Sequence, residues 1–306
     1  MLPLPEKREG HESRINGFTK GRKRAVRHSA LHGSVFLFDN LQAAMRSGRE
    51  SGIYKEDFME YIRVTKDNLE NEHICCAISN NNDVQVASKK AWLSERFDDG
   101  LVFLKSVERG KCFIEYIPAE NAWTPIDAVG YMYIDCLWVS GSFKGHGYSS
   151  DLLSECIKDS KSREMNGLCI LSSAKKKPFL ADPKYLKYKG FTVCDEADNG
   201  IQLWYLPFSP NAEKPRIKEC AKHPHIDETG YVLYYTSQCP FNAKYVPIVE
   251  QTAEEHGIKF KAIHLQSKAD AQNAPTPITT YALFCDGEYL TNEQMNDKRF
   301  LKLLAR

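Results

Sequence analysis

The sequence predicts an α/β protein with two domains, each built around its own sheet. The chain has 306 residues, which is enough to bury two cores. An apolar strand at 129–139, rich in aromatic and β-branched residues, leads through a Gly-rich loop into a helical pattern. A second apolar strand at 231–236 begins another run of strands and helices after a proline-rich stretch. These features favour a larger first domain at 59–208 and a small second domain at 230–306.

Composition excludes several classes of partner. The net charge is +1 and 26% of the residues are charged, so neither nucleic acid nor an anionic membrane surface is favoured as a partner. No apolar run approaches the roughly 20 residues of a membrane helix, and the start lacks the apolar core of a signal peptide. Ten cysteines at irregular spacing predict reduced thiols in a cytoplasmic protein. Composition and cysteine spacing do not indicate the oligomeric state.

Residues 1–58 differ from the rest of the chain. They hold 11 Lys and Arg against 7 Asp and Glu, with a basic cluster at 20–27. We expect a poorly ordered basic extension; the alternative is an arm that binds a specific partner. The strand pattern begins beside Met59, which suggests the hypothesis that translation starts there.

The elements of the first domain follow in order. The predicted elements are a strand at 60–64, helices at 69–79 and 88–97, strands at 101–105 and 112–117, and the long strand at 129–139. Gly100 suits the left-handed cap of the second helix. A helix from about 148, a strand at 168–173, a helical segment and a last strand complete the domain. An antiparallel meander that leads into strand, loop, helix and strand predicts a mixed, largely antiparallel sheet.

The Gly-rich loop is a candidate anion site. It reads Gly145-His146-Gly147 and is followed by Tyr148 and Ser149 at the start of the helix. Glycines let the backbone approach a phosphate, and the free N–H groups of the first helical turn point at it. The alternative is a plain tight turn.

The order of elements and the loop together resemble the GNAT acetyltransferase superfamily, over roughly residues 60–208. The family's phosphate loop reads R/Q-x-x-G-x-G/A; here 142–147 reads Ser-Phe-Lys-Gly-His-Gly, with Ser142 in place of Arg or Gln. Gly190-Phe191 matches the G-F that closes the family's last helix. The resemblance implies splayed central strands with the pantetheine arm of acetyl-CoA along 136–139. The cofactor-binding residues it implies are Leu137, Trp138, Val139, Lys144, Gly145, His146, Gly147, Tyr148 and Ser149.

The resemblance also implies acetyl transfer from acetyl-CoA to an amine. A protonated amine cannot attack a thioester, so a base must first remove a proton. Asp135 is the candidate base; the alternative is an outward-facing strand residue. Tyr185 and Tyr188 flank the position where the family carries its general acid, and the alternative is that both pack the helix. The acceptor is expected to be an amine-bearing small molecule or peptide.

A linker is expected at 209–229, since it is rich in proline and poor in apolar residues. It holds Cys220, His223 and His225, which are metal-ligand types. No fourth ligand is evident, so a surface linker is favoured and no metal is expected.

The second domain resembles the thioredoxin and glutaredoxin fold. A strand, Cys239-Pro240-Phe241-Asn242, a helix, a strand, a proline-containing loop, a hairpin that turns at 286–287 and a final helix at 292–304 follow one another. Asn242 replaces the second cysteine of the glutaredoxin C-P-Y-C motif, so a two-thiol redox couple is absent. The helix start is expected to lower the pKa of Cys239. Either Pro275 or Pro277 is expected to face the thiol. An acetyltransferase joined to such a domain resembles the bacterial proteins with a YoaP-type C-terminal domain.

Three hypotheses for function remain open at this point. The first is an acetyl-CoA-dependent N-acetyltransferase. The second is a monothiol thioredoxin-like protein that acts through Cys239, with the first domain as a CoA-binding sensor. The third is a non-catalytic interaction protein.

Overall fold

The computed structural model describes residues 59–74 and 80–305. The basic extension at 1–58 and positions 75–79 of the first predicted helix lie outside the described residues. Strands and helices are numbered in chain order. The first sheet contains β1 (Tyr61–Val64), β2 (Val102–Ser106), β3 (Cys112–Pro118), β5 (Tyr131–Val139), β6 (Gly167–Ser173), β7 (Thr192–Glu196) and β8 (Ile201–Pro207).

This first sheet has seven strands in the order β1-β2-β3-β5-β6-β8-β7. Its neighbours pair antiparallel except for β5 and β6, which are parallel. The predicted mixed, largely antiparallel sheet is therefore confirmed. Its helices are α1 (Val84–Arg96), α2 (Tyr148–Ser162) and α3 (Pro183–Tyr188).

Two cores lie on the two faces of this sheet, because successive strand residues point to opposite sides. Phe113 of β3 packs in one core with Trp92 and Leu93 of α1. Ile114 packs in the other core with Leu152 of α2. The helices thus cover opposite faces of the sheet and fix which side chains reach each side.

The second sheet is smaller and has the strand order β11-β10-β12-β13. Strands β10 and β11 are parallel, while β12 pairs antiparallel with both β10 and β13. The elements are β10 (Tyr231–Tyr235), α4 (Asn242–Glu255), β11 (Phe260–His264), α5 (Lys268–Gln272), β12 (Tyr281–Cys285), β13 (Glu288–Thr291) and α6 (Asp297–Leu304). The hairpin between β12 and β13 turns at Asp286 and Gly287, both with positive φ, as the sequence predicts.

The second sheet and its loops pack on the α1 side of the first. Leu265 and Ile278 share the core that holds Trp92. Hydrogen bonds fix the contact: the Thr124 hydroxyl donates to the Pro277 carbonyl (2.7 Å), and the Gln272 amide donates to the carbonyl of Ala122 (2.9 Å). One apolar core therefore contains residues of the first sheet and of the loops around the second sheet, which also has separate cores of its own.

The expected linker at 209–229 is packed against the preceding part of the chain. Its strand β9 (Arg216–Ile217) pairs with β4 (Ile126–Asp127) in the connection that precedes β5. Ile217 and Ala221 are buried in the shared core. The segment follows the surface of the first domain and contributes to its interior.

Two helix predictions are wrong. The described part of the helix expected at 69–79 forms turns, since Asn68 accepts from the Thr65 N–H (2.8 Å) and ends β1 in a tight loop. The last helix, expected from 292, begins only at Asp297, because the Asn296 side chain caps it by accepting from the Arg299 N–H (3.0 Å). Residues 292–296 instead have no regular secondary structure.

Candidate active site

The Gly-rich loop joins β5 to α2 in an open conformation. Gly145 and Gly147 have φ of +87° and +85°, a region that other residues rarely adopt. A Cβ atom added at either position would meet nothing within 4 Å. No side chain caps α2 at Gly147, so the N–H groups of its first turn are presented to the space beyond the loop. The site is suited to an anion such as a phosphate.

The other predicted cofactor residues surround this loop. The His146 ring stacks on Tyr148 with 5.4 Å between centroids, and the Lys144 side chain is exposed. The carbonyl of Ser149 accepts a hydrogen bond from the Tyr185 hydroxyl (2.8 Å). Leu137, Trp138 and Val139 are half-buried on β5 just before the loop.

Strands β5 and β6 separate in the middle of the first sheet. They pair only from Tyr131 with Gly167 to Tyr133 with Cys169. Beyond that point β6 continues to pair with β8, and β5 continues to pair with β3 up to Val139. The edge of β5 that faces β6 is therefore unpaired from residue 134 onwards, which is the splay that the sequence resemblance implies.

Asp135 is the extra residue of a β-bulge. Cys136 lies opposite Glu115 on β3, but Ile134 lies opposite Tyr116, so Asp135 has no partner across the pair. A bulge re-aims side chains, and Asp135 lines one cavity together with the rest of residues 133–138. Asp135 is thus not simply an outward-facing strand residue.

The cavity has a volume of about 380 Å³ and lies where the two sheets meet. The open part of β5 forms one wall, and loops of the second sheet form the other. Its polar and thiol-bearing lining residues are Lys89, Glu115, Thr124, Tyr133, Asp135, Cys136, Gln238, Cys239, Thr279, Thr280, Tyr281, Asn292 and Gln294. Apolar side chains, among them Trp138, Leu180 and Phe241, complete it.

A buried ion pair, Lys89 and Glu115, lines part of this cavity. The Lys89 ammonium donates to both carboxylate oxygens of Glu115 (2.8 and 2.6 Å) and to the carbonyl of Gln238 (2.8 Å). Both charged side chains are at most 2% exposed. Burial, and next the negative charge of Glu115, raise the pKa of Asp135 well above its usual value; the positive charge of Lys89 opposes them. Asp135 is therefore able to exchange a proton nearer to neutral pH than an ordinary carboxyl.

Neither member of this pair was predicted from the sequence. Lys89 lies on the apolar face of α1 with Val86 and Leu93, and Glu115 interrupts the apolar strand β3. A lone charge in an apolar pattern is the signal that was available. Since charged residues are almost never buried unless paired, the two could have been matched to each other.

Cys239 lies in the same cavity, in the loop between β10 and α4. The expected lowering of its pKa is wrong: burial raises the pKa of the thiol. Hydrogen bonds from Gln294 and from the Phe241 backbone N–H, and the charge of Lys89, favour the thiolate but are outweighed. Pro277 lines the cavity with Cys239, whereas Pro275 is not among its described lining residues.

The two candidate acid tyrosines lie elsewhere. Of the described residues, neither Tyr185 nor Tyr188 lines the cavity that contains Asp135. Tyr185 is committed to the Ser149 carbonyl, and Tyr188 is 80% exposed at the end of α3. The structure thus places Tyr185 beside the Gly-rich loop and Tyr188 at the surface. Gly190, with φ of +86°, ends α3 as the G-F motif predicts.

The Cys220, His223 and His225 segment does not form a cluster. His223 Nδ1 lies 2.6 Å from Asp198, and His225 Nδ1 lies 3.0 Å from Glu288, so each imidazole has its own carboxylate. In residues 59–74 and 80–305 no group of three or more His, Cys, Asp and Glu side chains is placed to hold a metal ion. Over the same residues, no helix combines the length and apolar character needed to cross a bilayer.

Comparison with known proteins gives two kinds of match. The family model described as YoaP-like matches residues 259–302, within the second sheet and its helices. The chain is 44% identical over 247 residues to a protein of Bacillus subtilis (strain 168) named as an uncharacterized N-acetyltransferase, YoaP. That match covers 80% of this chain and 98% of the relative.

Solved structures resemble about half of the chain. A ribosomal-protein-alanine N-acetyltransferase from Brucella melitensis matches with a TM-score of 0.36 and 18% identity, over 49% of this chain and 100% of its own. A GNAT family acetyltransferase from Brucella melitensis, in complex with acetyl-CoA, matches with a TM-score of 0.33 and 14% identity, over 51% and 92%.

Proposed function

The chain belongs to the family of the N-acetyltransferase YoaP, and on that premise we propose that it transfers an acetyl group from acetyl-CoA to the amine of an acceptor bound beside Asp135. The observation that carries this proposal is the separation of β5 from β6 after the pairing of Tyr133 with Cys169. The separation opens onto the cavity with Asp135, and the same strand leads into the Gly-rich loop.

Acetyl-CoA would bind along these two features. Its pyrophosphate would accept hydrogen bonds from the backbone of Gly145, His146 and Gly147 and from the first turn of α2. Its pantetheine arm would pair with the open edge of β5 at 136–139, as a peptide pairs with the edge of a sheet. The thioester would then lie in the gap between β5 and β6.

Asp135 would act as the general base. Its raised pKa means that it takes a proton from an ammonium group more readily than an exposed carboxylate does. The freed amine attacks the thioester carbonyl, the C–N bond forms, and the C–S bond to CoA breaks. Unpaired backbone N–H groups on β5 would donate to the carbonyl oxygen as its negative charge develops.

The acceptor would be a small amine with an apolar body. The cavity walls include the rings of Trp138 and Phe241, whose centroids are 6.4 Å apart. A volume of about 380 Å³ lies within the range of ordinary small-molecule sites. Because the loops of the second sheet form one wall, they would select the acceptor.

We propose that residues 230–306 form a thioredoxin-like domain, with 59–208 as the acetyltransferase domain and 209–229 as their connection. The parallel pair β10 and β11, the antiparallel strands β12 and β13, and Cys239-Pro240 before α4 support this. The position of Cys239 in the cavity favours a second candidate function, thiol chemistry in place of acetyl transfer. A cytoplasmic location, expected from the cysteine pattern, belongs to the same proposal.

The test begins with calorimetric titration of acetyl-CoA into the full chain, followed by a screen of amines for acetylated products by mass spectrometry. Asp135→Asn should bind acetyl-CoA normally and lose about 100- to 10,000-fold in kcat. In the wild type, kcat should fall as the pH is lowered through the raised pKa of Asp135, because the protonated carboxyl cannot accept a proton.

That acidic limb should disappear in Asp135→Asn. A chain that binds no acetyl-CoA, or a variant with unchanged turnover, would refute the proposal. Acetyl-CoA binding without any amine product, together with alkylation-sensitive thiol activity at Cys239, would favour the second candidate.

A further inference from the structure

One residue of the cavity combines a strained backbone with an exposed aromatic ring. Phe179 lies in the loop between β6 and α3, lines the cavity, and has a φ of +62°. A bulky residue rarely adopts this left-handed conformation, which is unfavourable unless the surrounding structure enforces it. Phe179 is also 54% exposed, so its ring forgoes much of the stabilisation that burial of an aromatic side chain provides. A ligand that covers the ring would recover that stabilisation.

The residues on either side of Phe179 hold it in this conformation. The Ser172 hydroxyl of β6 donates to the Ala181 carbonyl (2.7 Å). The buried side-chain amide of Asn292, which follows β13, donates to the Pro178 carbonyl (3.4 Å). The loop is therefore fixed by groups from both sheets, and the fold itself determines where the ring lies.

Phe179 lies at the mouth of the cavity. Among the described residues that line the cavity, only Pro178 and Phe179 are exposed. The next two residues turn inward: Leu180 packs against the core on the α1 face of the first sheet, and Ala181 packs against the core on the other face. The exposed ring therefore lies where a ligand would enter.

The charges of the cavity favour an amine that carries no carboxylate. Lys89 is the only cationic side chain among the described lining residues, and its ammonium is paired with Glu115 (2.6 Å) and bonded to the Gln238 carbonyl (2.8 Å). Asp135 adds a second carboxyl group to the lining. An anionic ligand would lose its hydration without an ionic partner in return, whereas an ammonium group can interact with Asp135.

We propose that Phe179 is a specificity-determining residue that packs on the apolar body of the acceptor while the amine lies at Asp135. The acceptor class is a primary amine joined to an alkyl or aryl body without a carboxylate. This inference rests on the proposed function and names the residue that would select its substrate. The Phe179 ring would complete the apolar wall that contains Trp138 and Phe241, and the contact would bury the exposed ring.

Binding of a graded series of amines tests this inference separately from catalysis. Butylamine, pentylamine, hexylamine and 2-phenylethylamine are titrated by calorimetry into the full chain saturated with CoA. In the wild type, affinity should rise roughly tenfold from butylamine to hexylamine, because each buried methylene contributes up to about fourfold. Phenylalanine, which is 2-phenylethylamine with an added carboxylate, should bind at least about tenfold more weakly than 2-phenylethylamine.

Phe179→Gly is the main variant, because glycine lacks the ring and readily adopts a positive φ. It should fold and bind CoA as the wild type does, and the rise in affinity from butylamine to hexylamine should shrink to less than about threefold. Glu164→Gly is the matched control, since Glu164 also has a positive φ (+57°), is exposed, and is not among the described lining residues. This control should keep the wild-type dependence on chain length. Phe179→Leu, which keeps an apolar side chain, should give an intermediate result.

Several outcomes would overturn the inference. They are a wild type that binds none of these amines, a chain-length dependence that survives in Phe179→Gly, and equal affinity for 2-phenylethylamine and phenylalanine. A loss of the same factor for butylamine and hexylamine in Phe179→Gly would also refute it, because that is the result of a purely structural role.

The same experiment distinguishes this inference from the proposed function. If the amines bind as expected but no acetylated product forms from acetyl-CoA, the binding role of Phe179 stands and acetyl transfer is refuted. If an amine is acetylated but affinity does not depend on Phe179, acetyl transfer stands and the role of Phe179 is refuted.

Discussion

Two helix N-termini in this protein follow the same local pattern and have opposite properties. Each follows a strand and a short loop: α2 begins after Gly147, and α4 begins after Cys239-Pro240-Phe241. The first is exposed, and a Cβ atom at Gly147 would meet open space. The second is enclosed between two sheets, with Asn242 at its first position 2% exposed.

The difference shows that burial can outweigh the effect of a helix N-terminus on the ionisation of a nearby group. At α2 the free N–H groups are accessible, and an anion can bind without a large loss of hydration. At α4 the loss of water around Cys239 opposes ionisation more strongly than the helix start favours it, so the pKa of the thiol rises. The same backbone geometry therefore suits a phosphate in one place and a neutral thiol in the other.

The largest effect is expected at the exposed terminus. Gly147→Trp should abolish acetyl-CoA binding by calorimetry, because the indole would fill the open space of the loop. Gly200→Trp is the matched control: Gly200 also has positive φ (+75°), and a Cβ atom there also meets nothing within 4 Å. Both variants bear a backbone strain of about 1–2 kcal/mol, so equal loss of binding in both would refute the phosphate site.

At the enclosed terminus, Lys89→Met should lower the free energy of unfolding by about 3–5 kcal/mol, because it leaves Glu115 buried and unpaired. Urea unfolding measures this. Lys66→Met is the control, since Lys66 and Asp98 have the same 2.6 Å separation but are 48% and 71% exposed; the expected loss is below about 1 kcal/mol. The double variant Lys89→Met with Glu115→Leu should be more stable than Lys89→Met alone. Equal losses at Lys89 and Lys66 would contradict the role of burial.

A smaller effect is expected at Asn242. Asn242→Ala leaves two backbone carbonyls and the Gln294 amide without their partner and should destabilise the chain by about 2–3 kcal/mol. The exposed Asn211→Ala should change stability by less than about 0.5 kcal/mol. If Asn242→Ala unfolds at the wild-type urea concentration, the amide does not brace the loop.

The smallest effect is expected at Tyr185. Tyr185→Phe removes the hydrogen bond to the Ser149 carbonyl and should change acetyl-CoA affinity and kcat by less than about tenfold. Tyr188→Phe, at an exposed site, should change neither. A loss of about 100-fold or more in kcat with Tyr185→Phe would instead support the assignment of this tyrosine as the general acid.

Local patterns predicted the parts of the site that depend on neighbours in sequence. The Gly-rich loop, its strand and its helix are contiguous, and the positive φ of Gly147 follows from the turn that joins them. The splay of β5 from β6 came from the family resemblance and is seen in the pairing. Asp135 was selected for its position before the loop, and it does line the cavity.

Other parts depend on contacts that are distant in sequence. The bulge at Asp135 is set by pairing with β3, and the ion pair joins Lys89 on α1 to Glu115 on that strand. Cys239 received the wrong pKa direction because its burial comes from packing against another sheet, more than 100 residues away in sequence. Secondary-structure propensity and hydrophobic periodicity cannot predict such contacts. A lone charged residue on an apolar face nevertheless indicates that a buried partner exists.

The shared core has a consequence for synthesis. Residues of one core run from Val64 on the first strand to Ile278 beyond α5. Because a nascent chain emerges from its N-terminus, this core stays incomplete on the ribosome until the residues around the second sheet have been made. Trp92 and Trp123, which stack edge to face at 4.7 Å in the finished protein, would meet water or a chaperone during that interval. The cavity that contains Asp135 is lined by residues as far along the chain as Gln294, so its walls are complete only after that residue has been made.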